Sequence, residues 1–276
     1  MKRAYVLVIV LAMMVSCASA AFYGKDSEVI NLTPKTFRSE VYDTNYTTIV
    51  EYYAEWCGHC KNLRPHYAKA AKSLSGLAKV AAVRCDDPSN ERLCAKANIK
   101  GYPTLKIYRP SKRAKSTPIV EDYQGARTAK AITGMVLDRL SNRVTRLSSA
   151  ADVEGFVAQK EVPRVLLFTD KPNTPPMFKV LAIDFDSSAR FGIVRKADKA
   201  LQKRFGVKKM PTVVVVTNDE EGEEEEERAV YEGEIKKEQL YEFLSGFATP
   251  AEGRLKGVVP ANSPQRYGLD SSHDEL

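Results

Sequence analysis

The sequence predicts two α/β domains in tandem. Strand-like and helix-like stretches alternate over residues 22–140, which is typical of a layered α/β domain. Residues 93–104 and 201–212 share leucine, lysine, proline and threonine at a constant offset of 108 residues, so the plan is expected to occur twice. The chain of 276 residues is long enough for two such domains, and the repeat is too long for a solenoid.

The elements of the first domain follow from local patterns. Runs rich in β-branched and aromatic residues predict its strands, and a long helical pattern follows the first strand. Pro65 lies inside that pattern and is expected to kink the helix. The predicted elements are strands at 47–54, 80–83 and 104–108 and helices at 57–78 and 129–140.

The second domain repeats this plan, and the offset of 108 still holds where Tyr231 and Gly233 match Tyr123 and Gly125. Its strand at 164–169 ends in a proline-rich stretch and contains no cysteine. We therefore expect this domain to lack thiol chemistry. The expected segments of the chain are a leader at 1–20, a first domain at 21–142, a second domain at 143–250 and a flexible tail at 251–276.

The composition excludes several classes of protein. With 43% hydrophobic and 28% charged residues, the chain is neither collagen-like nor wholly disordered. The net charge of +7 is the difference between 42 basic and 35 acidic residues, and no basic cluster is interleaved with aromatic residues. We therefore expect no nucleic-acid binding.

The two ends of the chain resemble targeting signals. A basic start, an apolar run at 4–15 and small residues before position 20 are typical of a secretory leader. The alternative is a membrane anchor, but twelve apolar residues are too few to cross a bilayer, which needs about 20. The last four residues form a retention signal, which predicts the endoplasmic reticulum lumen, a retention-signal receptor as partner and no membrane insertion: His273, Asp274, Glu275 and Leu276.

In that compartment, N-x-T tripeptides are candidate glycosylation sites. Two of them begin at Asn31 and Asn45. Asn45 precedes a predicted strand and is the better candidate for glycosylation. Asn31 is expected to lie close to the sheet.

The cysteines form two pairs once Cys17 leaves with the leader. Cys57 and Cys60 enclose Gly58 and His59 where a strand meets a helix, and a helix N-terminus stabilises a thiolate. His59 can add positive charge beside it, which favours the reduced form. Zinc and a permanent disulfide are the alternatives. Zinc would need two more ligands, and we expect no metal.

The segment around these cysteines, V-E-Y-Y-A-E-W-C-G-H-C-K from Val50 to Lys61, resembles the active site of the protein disulfide isomerase family. G-Y-P-T at 101–104 is similar to that family's cis-proline loop, and Gly125-x-Arg127 to a later segment. The resemblance implies a thioredoxin fold, a central mixed sheet flanked by helices, in both domains. Glu55 departs from the pattern, because the family usually has proline there.

The resemblance implies a role for each site residue. Cys57 would attack a substrate disulfide and Cys60 would resolve the mixed disulfide. Glu51, costly in an apolar strand unless it has a task, would take the proton of Cys60. Strand alternation could instead point Glu51 to solvent. Arg127 would approach Cys60 and lower its pKa, or it is one more surface arginine.

The remaining resemblances concern the substrate surface and the second cysteine pair. Trp56, the only tryptophan, is expected both in the core and on the substrate-facing surface. Substrate would contact four neighbouring positions: Trp56, Gly58, Tyr102 and Pro103. By resemblance to some relatives, Cys85 and Cys94 would form a structural disulfide, with a second redox-active pair as the alternative.

An acidic segment at 219–227 holds eight acids in nine residues. We expect a solvated loop, since like charges repel, with loose calcium binding as the alternative.

The expected function is thiol–disulfide exchange on unfolded or misoxidised secretory proteins, with no cofactor besides the cysteines. A lumenal thiol oxidase or a glutathione couple would restore the active disulfide. The alternative is a chaperone or escort that holds clients with its second domain.

Overall fold

The computed structural model describes residues 22–24, 26–111, 117–195, 197–218, 226–252 and 255. The predicted leader, the retention signal and residues 219–225 of the acidic segment lie outside these residues. None of the helices in the described part of the chain has the length and apolar character that crossing a membrane requires.

In its described residues, the first domain contains five strands, three helices and two short helical turns, at Arg38–Tyr42 and Pro88–Asn90. In chain order, its elements are β1 (Ile30–Asn31), β2 (Thr48–Tyr53), α1 (Gly58–Leu74), β3 (Lys79–Arg84), α2 (Glu91–Lys96), β4 (Thr104–Arg109), β5 (Ile119–Asp122) and α3 (Ala129–Asp138).

The second domain has the same succession of strands with one more helix. In chain order, its elements are β6 (Thr145–Leu147), α4 (Ala150–Val157), β7 (Arg164–Thr169), α5 (Pro176–Asp184), β8 (Arg190–Arg195), α6 (Lys199–Arg204), β9 (Thr212–Asn218), β10 (Glu226–Tyr231) and α7 (Lys237–Ser245).

The two sheets share one topology. The strand order is β1-β3-β2-β4-β5 in the first sheet, and the equivalent β6-β8-β7-β9-β10 in the second. In each, three strands run parallel and the last two pair antiparallel. The prediction of two α/β domains with mixed sheets flanked by helices is confirmed.

Strand β2 and helix α1 set the position of the cysteine motif. All six residues of β2 are buried, as expected of a central strand covered on both faces. Helix α1 buries one side of its surface against this sheet. The Tyr67 hydroxyl bridges helix and sheet, because it donates to the carbonyls of Ile49 at 3.1 Å and Ala81 at 2.8 Å. The start of α1 is therefore fixed where β2 ends.

The predicted elements differ from the observed ones mainly at their ends. The first helix begins at Gly58 and ends at Leu74, and it contains Pro65. The ends of the predicted strands differ from the observed ones by at most one residue, and the strand predicted at 164–169 matches β7. Strands β1 and β5 of the first domain were not predicted. Strand β5 has only four residues, of which Ile119 and Val120 are exposed, so it lacks the alternation of a half-buried strand.

The repeated Tyr-x-Gly motif has a structural cause. The Tyr123 hydroxyl donates to the Ala126 carbonyl at 2.7 Å and lies over Gly125, where a Cβ would approach it to 2.7 Å. In the second domain, the Tyr231 hydroxyl donates to the Glu234 carbonyl at 2.9 Å. The motif thus closes a turn in both domains and carries no thiol chemistry.

Candidate active site

Cys57 occupies the N-cap position of helix α1. Its sulfur accepts a hydrogen bond from the Cys60 backbone N–H at 3.3 Å, which satisfies one of the free donors of the first turn. Both cysteines are free thiols. The helix N-terminus therefore presents partial positive charge and a hydrogen-bond donor to the Cys57 sulfur.

The loop before β4 covers the same sulfur. The Cys57 thiol donates to the Tyr102 carbonyl at 3.6 Å, and the Tyr102–Pro103 peptide bond is cis. Gly58 has nothing within 4 Å of the place where a Cβ would stand. Cys57 itself is buried, at 6% exposure, and its sulfur lies beside the Tyr102 carbonyl and next to the exposed Gly58.

Trp56 lies on the surface beside this sulfur and does not enter the core as expected. Its side chain is 70% exposed, and its ring meets the edge of the Tyr102 ring with centroids 6.0 Å apart. His59 is also exposed, in the first turn of α1. The expected double role of Trp56 therefore reduces to one, an apolar surface next to the cysteines.

Glu51 is fully buried in β2, below the cysteines. Burial raises its pKa from 4.5 to about 7, although a hydrogen bond from the Tyr23 hydroxyl and the charge of Arg127 both lower it. Within the described residues, its Oε1 atom has no hydrogen-bond partner. Glu51 is thus a buried carboxyl group able to bind or release a proton near neutral pH.

Cys60 lies deeper than Cys57, with no exposed surface. Burial raises the pKa of the Cys60 thiol, the hydrogen bond with Cys57 raises it further, and the negative charge of Glu51 acts in the same direction. Cys60 therefore holds its proton firmly and needs an acceptor before it can react.

Arg127 packs against Tyr123 rather than against Cys60. Its guanidinium lies 5.4 Å from the centre of the Tyr123 ring and donates to the Tyr123 carbonyl at 3.4 Å. Its charge lowers the pKa of Glu51. In this position the Arg127 charge affects Glu51, and the approach to Cys60 that the resemblance implies stays a prediction.

Tyr23, whose hydroxyl donates to Glu51, was not among the predicted site residues. It follows the predicted leader in an irregular segment, and no motif or periodicity marks it. Its ring nevertheless packs among Phe22, Tyr53 and Tyr67, and burial raises its pKa strongly. Only the three-dimensional contact identifies it.

Cys85 and Cys94 form a disulfide between the end of β3 and α2. In the described part of the chain, no group of three or more His, Cys, Asp or Glu side chains could hold a metal ion.

The second domain keeps the frame of this site without its thiols. Helix α5 begins at Pro176, after a loop at 170–175 that follows the central strand β7. The Met210–Pro211 bond is cis, as in the equivalent loop of the first domain. The sequence has no cysteine beyond Cys94. The position equivalent to the cysteine motif therefore carries no redox group.

Comparisons with known proteins agree with this division. The family model described as Thioredoxin matches residues 28–138, and the model described as DJC16, Thioredoxin-like domain 2, matches residues 148–246. The crystal structure of full-length ERdj5 matches 79% of this chain and 32% of its own, with a TM-score of 0.50 and 23% identity. This structural likeness shows the fold.

Two curated relatives carry a functional name. A Dictyostelium discoideum protein, provisionally named a protein disulfide-isomerase, is 34% identical over 248 residues, which cover 90% of this chain and 59% of that protein. Protein disulfide-isomerase MPD1 of Saccharomyces cerevisiae is 38% identical over 175 residues, which cover 59% of this chain and 55% of that protein. The chain thus spans a little more than half the length of either relative. The chain contains two thioredoxin-like domains in tandem, and the relatives that it resembles bear the name protein disulfide-isomerase.

Proposed function

We propose that the protein is a thiol–disulfide oxidoreductase and isomerase that acts on secretory proteins through Cys57 and Cys60. The observation that carries this proposal is the placement of two free thiols at the start of α1, with the Cys57 sulfur accepting the Cys60 N–H at 3.3 Å. A nucleophilic thiolate needs a stabilising environment and an accessible neighbour to resolve it, and this arrangement supplies both.

The two thiols of the chain take part in every bond that is made or broken in this exchange. In reduction, the Cys57 thiolate attacks one sulfur of a client disulfide, the client S–S bond breaks, and the second client sulfur leaves as a thiolate. Cys60 then attacks the Cys57 sulfur, releases the remaining client thiolate and forms the Cys57–Cys60 disulfide. Oxidation of a client runs these steps in reverse. Isomerisation occurs when the mixed disulfide is attacked by another client thiol, which regenerates Cys57.

Glu51 supplies the proton acceptor that Cys60 needs. Its pKa of about 7 allows it to be ionised in a good fraction of molecules at neutral pH, and its Oε1 is without a hydrogen-bond partner among the described residues. Ionised Glu51 accepts the Cys60 proton before resolution and returns it when the active-site disulfide is reduced.

The client chain is expected to bind along the surface formed by Trp56, Gly58, Tyr102 and Pro103. The exposed Trp56 ring offers apolar contact beside the reactive sulfur. Backbone groups of the Tyr102–Pro103 loop lie against Cys57. An apolar surface and backbone groups do not distinguish one client sequence from another. A wide range of unfolded clients would therefore be accepted.

The ends of the sequence support the endoplasmic reticulum lumen as the place of this reaction. The partners there would be folding secretory proteins, a receptor for the terminal His-Asp-Glu-Leu, and a thiol oxidase or glutathione couple that reoxidises the cysteines. Two relatives are named protein disulfide-isomerases, which is consistent with thiol–disulfide exchange on client proteins.

The experiment is refolding of a protein with scrambled disulfides by the purified chain and by the Cys57→Ser/Cys60→Ser variant. The variant retains Cys85 and Cys94, which are paired. The variant is expected to lose all disulfide rearrangement, because no other thiol pair is free in the described residues. Full activity of this variant in suppressing client aggregation, without disulfide rearrangement, would instead favour the chaperone or escort function.

A further inference from the structure

Glu55 lies in the loop that presents the reactive cysteine, two positions before Cys57. Its carboxylate oxygen Oε1 is 2.9 Å from Nη1 of Arg84. Its backbone N–H donates to Oδ2 of Asp86 at 3.1 Å. Arg84 at the end of β3 thus binds the side chain of Glu55, and Asp86 just after β3 binds its backbone.

Arg84 and Asp86 are themselves held in place, because they flank Cys85. The Cys85 N–H donates to the Tyr53 carbonyl at 2.8 Å, and its sulfur is bound to Cys94 of α2. The Arg84 carbonyl accepts from the Asn90 side chain at 2.9 Å. Arg84 Nε also lies 3.4 Å from Asp86 Oδ1. Arg84 and Asp86, the two residues that contact Glu55, therefore belong to a segment that the Cys85–Cys94 disulfide holds in place.

We propose that Glu55, Arg84 and Asp86 form a positioning cluster that sets the reduction potential of the Cys57–Cys60 pair. The proposal rests on the redox role of that pair. The cluster carries one positive and two negative charges, so its net charge beside the thiols is negative. The hydrogen bonds of the cluster fix the loop in which Cys57 stands. As a general rule, negative charge near a pair of thiols favours their disulfide over the reduced form.

This arrangement depends on the identity of residue 55. A proline there, as the resembled family usually has, would have neither the N–H that Asp86 accepts nor the carboxylate that Arg84 binds. The link between the active-site loop and the end of β3 is consequently a feature of this chain's own residues, and Glu55 is its central member.

The test is the equilibrium of Cys57–Cys60 with glutathione. Two glutathione molecules are oxidised to their disulfide as the pair is reduced, and the reduced fraction is read from the fluorescence of Trp56, the only tryptophan, with alkylation as a check. The variants are Glu55→Gln, Arg84→Gln and the two combined. Glu55→Gln keeps the backbone N–H and removes only the charge.

The proposal predicts shifts of opposite sign. Glu55→Gln removes a negative charge and should move the equilibrium constant about two- to fivefold toward the reduced form, the size expected of partly exposed ion pairs. Arg84→Gln leaves two acids uncompensated and should move it by a similar factor toward the disulfide. The combined variant should return close to the unaltered protein. A cluster that only supports the fold would move both single variants in the same direction or not at all.

The matched control is Glu121→Gln, which breaks the pair between Glu121 of β5 and Arg139 in the same domain. That pair has contacts of 2.9 and 2.8 Å, and its side chains are 38% and 31% exposed, against 34% and 40% for Glu55 and Arg84. The control should leave the equilibrium constant unchanged. Shifts in Glu55→Gln and Arg84→Gln no larger than in the control would overturn the proposal.

The result is separable from that of the proposed function. Opposite shifts together with a failure to rearrange client disulfides would support the cluster and refute the isomerase. A Cys57–Cys60 pair that forms no disulfide at any glutathione ratio would refute the redox function on which the proposal rests, and the proposal with it.

Discussion

The Tyr46 hydroxyl of the first domain donates a hydrogen bond to the Asp184 carboxylate of the second. Asp184 is fully buried at the end of α5, and Lys237 of α7 approaches its Oδ2 at 3.3 Å. The Lys237 ammonium also donates to the Gly76 carbonyl of the first domain at 2.7 Å. The two domains therefore share a buried polar cluster to which both contribute.

Apolar packing surrounds this cluster. Val180 and Ile183 of α5 are buried within the core of the first domain. Buried charges are costly unless paired and hydrogen-bonded, so a domain interface with such a cluster is favourable only in one arrangement. The contact fixes how the redox-inactive domain stands beside the active one.

We predict that Tyr46→Phe lowers the free energy of unfolding by about 1–3 kcal/mol, because the buried Asp184 carboxylate loses a donor. Urea denaturation of the full chain measures this. The control is Tyr42→Phe, a nearby tyrosine that is 42% exposed and should change little. Equal effects of the two substitutions would mean that the hydroxyl contact across the interface contributes no stability.

A second prediction concerns glycosylation. Both asparagines are exposed, but the Asn31 side chain donates to the Tyr23 carbonyl at 2.8 Å from within β1, whereas Asn45 lies in the irregular segment before β2. Expressed in a secretory host, the protein should carry one glycan, and Asn45→Gln should abolish the mass loss on glycosidase treatment. Asn31→Gln serves as control and should leave that loss intact. Removal of the glycan by Asn31→Gln instead would reverse the assignment.

The fold could be predicted from the sequence where local patterns are strong or repeat. The apolar strand before Cys57 and the helix after it have strong periodicity, and the offset of 108 residues anticipated two sheets of equal topology. Features made by distant contacts could not be anticipated. Tyr23 hydrogen-bonds Glu51 from 28 residues away, and Arg84 pairs with Glu55 from 29 residues away. No sequence motif marks Tyr23 or Arg84.

The exposure of Trp56 shows a different limit. A tryptophan beside buried cysteines is compatible with either core or surface, because its large apolar ring favours burial and substrate contact equally. Only the direction of the loop decides, and in that loop the neighbouring Glu55 contacts Arg84 and Asp86 at the end of β3.

Glu51 should make stability depend on pH. Its pKa is 4.5 when unperturbed and about 7 in the folded protein, so between these values the folded state binds a proton that the unfolded chain has released. Stability contributed by the protonated group is present below pH 4.5 and is lost as the pH rises to 7, by about 3 kcal/mol. Glu51→Gln should therefore gain stability relative to the unaltered protein over this window.

Denaturation of both proteins at pH 4.5, 6 and 7.5, with the thiols reduced, measures this gain. Glu121→Gln provides a contrast, because Arg139 lowers the pKa of Glu121. That pairing stabilises the fold above the unfolded pKa of Glu121, and this stability is lost as the pH falls. A difference between Glu51→Gln and the unaltered protein that stays constant with pH would argue against a raised pKa.

The last prediction concerns the resolution of mixed disulfides. Glu51→Gln should leave the first attack by Cys57 nearly unchanged, because that sulfur is already stabilised by the helix N-terminus. Release of the client should slow about tenfold or more, since Cys60 loses its proton acceptor. Stopped-flow measurement with a fluorescent disulfide peptide, with acid quenching to trap the intermediate, should show mixed disulfides accumulating.

The pH profile of this step identifies the base. In the unaltered protein the resolution rate should rise with pH through about 7, as Glu51 becomes ionised. Tyr23→Phe removes a hydrogen bond that lowers the pKa of Glu51, so its midpoint should move to higher pH. In Glu51→Gln this rise should vanish. A midpoint that is the same in all three proteins would show that a group other than Glu51 takes the proton of Cys60.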